Sequence, residues 1–142
     1  MHTSRGSDAN LFEETPLSPN HFGLLSAAVG FLGNGLTAFL LFRDPVWSVI
    51  IGLGTAIGLF LFVPAVMVGL LEERLGDLLS LEGSLFSDPH RLAAGIALAT
   101  ASVVTFAWRT TGDDLVVGLS TLFVATAVCY VVVAWLLPDV DV

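Results

Sequence analysis

The sequence predicts an all-α integral membrane protein, a four-helix bundle whose halves read as two tandem helical hairpins related by pseudo-twofold symmetry. Three observations predict it. Four long runs contain no Asp, Glu, Lys or Arg. Short polar turns join the first run to the second and the third to the fourth. A shift of 66 residues overlays the second half on the first without gaps.

Composition sets the class. Hydrophobic residues make up 55% of the 142 and charged residues 13%. The charged share is well below the roughly 25% of soluble domains. Mean hydropathy is +0.87. The net charge is -8, with five Arg and no lysine. A nucleic-acid surface needs basic patches, so nucleic acid is excluded as a partner. A polybasic lipid-headgroup clamp is excluded for the same reason. The acidic, lysine-free style resembles that of halophilic proteins, which speaks to habitat and not to activity. Cys129, the one cysteine, allows no intrachain disulfide and no thiolate metal cluster.

Residues 1–20 are polar, carry Pro16 and Pro19, and lack the basic-then-apolar order of a signal peptide. They are expected to form a mobile N-terminal tail ahead of a transmembrane domain over 21–142. The first span, 21–42, reaches roughly 33 Å as a helix, enough to cross a bilayer core. The second is expected at 46–71, with Pro64 kinking it. The third, 92–108, is the shortest, and the fourth covers 115–137. These continuous apolar runs suit helices, because hydrocarbon cannot satisfy open backbone groups and barrel strands alternate. Trp47, Trp108 and Trp135 all fall at span ends, where indoles favour the headgroup level.

The connections differ. Arg43-Asp44-Pro45 and the stretch 109–114 are tight turns, so each joins antiparallel neighbours. The middle connection, 72–91, is longer. Its leucines at 71, 75, 78 and 79 oppose Glu73 and Asp77, which suits either an interfacial amphipathic helix or a continuation of the second span. In the overlay, Arg43 meets Arg109 and VIIGLGT at 49–55 meets LVVGLST at 115–121. Apolar sequences match often by chance, so the turns and the Gly-Leu-x-Thr stretches carry the duplication. An even number of spans per unit implies parallel repeats about an axis along the membrane normal.

Small residues mark where membrane helices approach closely. Ser26, Gly30, Gly33 and Thr37 share a face of the first span, bordered by Asn34 and followed by Gly35. The second span offers Gly54 and Gly58 as one seam and Ser48, Gly52 and Thr55 as another. The third has Ala93, Ala97, Ala101 and Thr105; the fourth has Gly118, Thr121 and Ala125. Asn34 is the one amide within a span. Unpaired in hydrocarbon it would cost several kcal/mol. It is expected either to bond Thr55, Thr121 or a backbone carbonyl, or to line a site at a helix broken around Gly33-Asn34-Gly35.

No span carries a carboxylate, lysine, arginine or histidine in its middle, and proton or cation coupling normally uses one. His2, His21 and His90 lack metal-ligand spacing, and no nucleophile stands in a recognisable catalytic motif. The chain is therefore expected to be no enzyme and to hold no cofactor or metal. The expected role is a structural or accessory subunit that packs, in the bilayer, with other membrane chains or with itself. The alternative is an oligomeric transporter or channel for a neutral or small hydrophobic solute, with Asn34 lining the path. Arg5, Arg74 and Arg91 on one side, against Arg43 and Arg109 on the other, vote for a multi-pass cell-membrane protein with both termini cytoplasmic.

Overall fold

The computed structural model describes residues 19–75 and 89–136. Within them are four helices: α1 (Pro19–Phe42), α2 (Pro45–Leu75), α3 (Pro89–Arg109) and α4 (Leu115–Leu136). All four are long and apolar enough to cross a membrane. The protein is thus a multi-pass α-helical membrane protein. Most of the N-terminal tail and the centre of the middle connection, including the leucines at 78 and 79, lie outside the described residues.

Proline starts three of the helices. It suits a first helical position, where its missing N–H would have no intrahelical acceptor anyway. Helix α1 ends at Arg43, the one described non-glycine residue with positive φ (55°). That left-handed step reverses the chain. Asp44 then caps α2, its Oδ1 accepting the amides of Val46 (2.9 Å) and Trp47 (3.4 Å). Asp114 does the same for α4, accepting from Val116 (2.8 Å) and Val117 (3.1 Å).

Helix α2 runs four residues past the boundary that charge suggested at 71. Its 31 residues reach about 46 Å, longer than a bilayer core of about 30 Å. A helix already wound in hydrocarbon continues into water at little cost when its residues, here Glu72 to Leu75, are good helix formers. Helix α3 likewise begins at Pro89, ahead of the expected 92.

The helices pack in chain order: α1 on α2, α2 on α3, α3 on α4. Among the described residues α1 and α4 share no comparable seam, so the ring of a closed bundle is not completed. The interior column is small. Ala93, Ala97 and Ala101 are buried completely, with Ser102 and Thr105 beside them. Large apolar side chains point outward, among them Leu24, Leu32, Leu40, Phe123 and Val131. A soluble bundle would hide these; in a bilayer they are the lipid-facing surface, and close approach of backbones does the packing.

Candidate functional site

The α1–α2 seam gathers six of the residues singled out from sequence. Gly30, Asn34 and Gly35 come from α1; Ser48, Gly52 and Thr55 come from α2. Asn34 Nδ2 donates to Thr55 Oγ1 at 3.0 Å. Thr55 Oγ1 in turn donates to the Ile51 carbonyl at 3.0 Å. Two turns earlier in α2, Ser48 Oγ donates across the seam to the Gly35 carbonyl at 2.5 Å. A side chain at Gly52 would lie 3.0 Å from the Phe31 ring and 3.2 Å from the Gly35 Cα. The two glycines therefore bring the helices near enough for these hydroxyl and amide bonds to form.

Thr55 is one of the partners expected for Asn34. The helix is also continuous through Gly33-Asn34-Gly35, with no unwound segment exposing backbone groups. The site therefore contains a polar side-chain pair embedded in apolar packing.

The other candidates lie elsewhere. Gly33 and Thr37 sit on the outer side of α1: both are exposed, and a Cβ built on Gly33 would meet nothing within 4 Å. Thr37 Oγ1 donates to the Gly33 carbonyl of its own helix at 2.6 Å. The stripe Ser26, Gly30, Gly33 and Thr37 is thus split. The face that meets α2 carries Gly23, Gly30, Asn34, Gly35 and Ala38 instead. Gly118, on α4, serves a different purpose. A Cβ there would overlap the Trp47 indole and press on Trp108. Thr121 donates to the Val117 carbonyl of its own helix at 2.8 Å.

A second cluster joins the two short turns and was not singled out as a site from sequence. Trp47 is 2% exposed and packs with Ala38 and Ile51. Its ring lies 5.7 Å from that of Trp108 and in contact with Gly118. Phe42 and Phe106 meet at 5.3 Å beside them. Arg109 enters this aromatic group, with its guanidinium carbon 5.2 Å from the Phe42 ring and 5.6 Å from the Trp47 ring. Nη1 donates to the Gly112 carbonyl at 3.1 Å. Nη2 stands 3.9 Å from Asp44 Oδ2.

Trp47 thus lies at the span end, as expected, but faces protein and not lipid. Trp135, 83% exposed at the end of α4, keeps the position of an interfacial anchor. The signal for the cluster was present as Asp44, Trp47, Trp108 and Arg109 flanking both turns. Each type is also what an isolated span end carries, so only the adjacency of the turns distinguishes the two meanings.

At the opposite end, Tyr130 Oη and His90 Nδ1 share a hydrogen bond of 3.0 Å, their rings stacked 6.4 Å apart. Arg91 lies 5.9 Å over the Phe60 ring. Among the described residues no group of three His, Cys, Asp or Glu side chains is placed to hold a metal ion. Comparison of the chain with protein-family models, with curated proteins and with solved structures finds no match.

Proposed function

We propose that the protein is a structural or accessory subunit of the membrane, packing through the outer face of α1 against another membrane chain. The observation that supports this is Gly33. A Cβ built on it meets nothing within 4 Å. Gly23, Gly30 and Gly35 of α1, and Gly52, Gly54 and Gly58 of α2, are each met by a neighbouring helix. Small residues at a membrane-helix surface permit close approach of a partner backbone, and Gly33 is such a surface left open. The finer readings, two hairpins about a pseudo-twofold axis and both termini cytoplasmic, are part of this proposal.

The test is a pull-down of the tagged chain from its own membranes in mild detergent at high salt, with mass spectrometry of what accompanies it. A stoichiometric foreign chain that Gly33→Leu releases, while the variant still folds, is the expected result. A chain recovered alone would remove the accessory role. A homo-oligomer would shift weight to the transport reading. In that case a flux assay on proteoliposomes decides whether Asn34 lines a path, and an Asn34→Leu protein with full flux would exclude it.

A further inference from the structure

We propose that Arg109 is a salt-tolerant latch, holding the α3–α4 turn against the α1–α2 turn through aromatic rings and not through its ion pair with Asp44. Arg109 is the last residue of α3, and Phe42, Asp44 and Trp47, its interhelical partners among the described residues, flank the other turn. Phe42 closes α1, Asp44 caps α2, and Trp47 lies in the first turn of α2. A single side chain from one helix pair thus spans the whole reversal of the other.

The acidic partner is poorly placed for the task. Its closest approach, 3.9 Å, is beyond hydrogen-bonding distance. The Asp44 side chain is 34% exposed, and its Oδ1 is already engaged by two backbone amides. The rings are better placed, both within the roughly 6 Å over which a ring face attracts a cation. Arg109 Nε is buried and has no hydrogen-bond acceptor. An unmatched buried N–H is costly, and ring faces are what surrounds it to offset that cost. The bond from Nη1 to the Gly112 carbonyl fixes the guanidinium in this orientation.

Salt separates the two contributions. At 1 M ionic strength the screening length is about 3 Å, so attraction between partly exposed charges fades. Contact with a ring as buried as Trp47 does not depend on that screening. The latch is therefore one that molar salt leaves closed.

The experiment is amide hydrogen exchange of the full chain in lipid nanodiscs, read over residues 43–48 and 110–118, at low salt and in molar NaCl. Arg109→Gln is expected to speed exchange in both turns about tenfold, as the loss of a desolvated cation–ring contact would. Asp44→Asn keeps the helix cap, since Asn caps as well as Asp, and is expected to change exchange less than twofold. The wild-type protein is expected to exchange alike at both salt levels. Unchanged exchange in Arg109→Gln would overturn the proposal. So would an Asp44→Asn protein that opens as far, or wild-type turns that open in molar salt. The last two outcomes decide the matter even if Arg109→Gln fails to fold.

Discussion

Toward α1, helix α2 presents Ser48, Gly52, Thr55 and Leu59. Toward α3 it presents Gly54, Gly58 and the backbone of residues 61–62. On the first side, side chains reach across: the Asn34 amide bonds Thr55 and the Ser48 hydroxyl bonds Gly35. On the second, backbone meets backbone. A Cβ on Gly58 would lie 2.7 Å from the Ala99 nitrogen, and one on Gly95 would lie 2.7 Å from the Phe62 nitrogen and 2.9 Å from the Gly58 carbonyl oxygen. The α3 hydroxyls there, Ser102 and Thr105, bond carbonyls of their own helix. One helix thus joins directed polar bonds to close approach at Gly35 and Gly52 on its α1 face, and relies chiefly on close approach on its α3 face. The lesson is that close approach tolerates less change, because backbone cannot rotate aside.

Alanine at glycine tests this most strongly. Gly58→Ala is expected to cost about 1–3 kcal/mol, because the added methyl meets Ala99 backbone and forces α3 away. Gly30→Ala, facing the tip of Leu59, is expected to cost under about 1 kcal/mol, since a leucine end can change rotamer. Denaturant titration in mixed micelles reads both. Equal costs would erase the distinction between the seams.

A smaller effect belongs to the polar fastener. A double-mutant cycle of Asn34→Leu and Thr55→Val is expected to give a coupling of about 0.6 kcal/mol, at most roughly 2. A coupling near zero would mean that Gly35 and Gly52, and not the amide, hold α1 in place.

Smallest is Thr121→Ala. Its hydroxyl bonds its own helix at Val117, so stability in the same titration is expected to move by no more than about 0.5 kcal/mol. A larger loss would assign Thr121 a partner in another helix.

The turns qualify the internal repeat. The caps Asp44 and Asp114 start α2 and α4 in the same way, yet they stand 70 positions apart and not 66. The overlaid glycines also differ in surroundings: Gly52 meets Phe31 and Gly35, whereas Gly118 receives Trp47. Equivalent letters in the two halves therefore perform different packing tasks.

The sequence by itself determined the membrane, the number of described spans and their limits to within a few residues. Length of uncharged run is a sufficient signal, since a bilayer admits a single chain only as helices of at least its own thickness or as a closed barrel. The bond from Asn34 to Thr55 was also legible, because an amide in hydrocarbon must find a partner and Thr55 was among the few available. Tertiary structure decided which face of each helix turns inward. A helix in lipid is apolar on every side, so periodicity carries little directional information, and small residues on several faces compete as seams. That is why Gly33 and Thr37 face outward while Gly35 is buried. It is also why Trp47, a span-end indole along the chain, and Arg109, a turn residue, meet as one interior cluster once the two turns lie side by side.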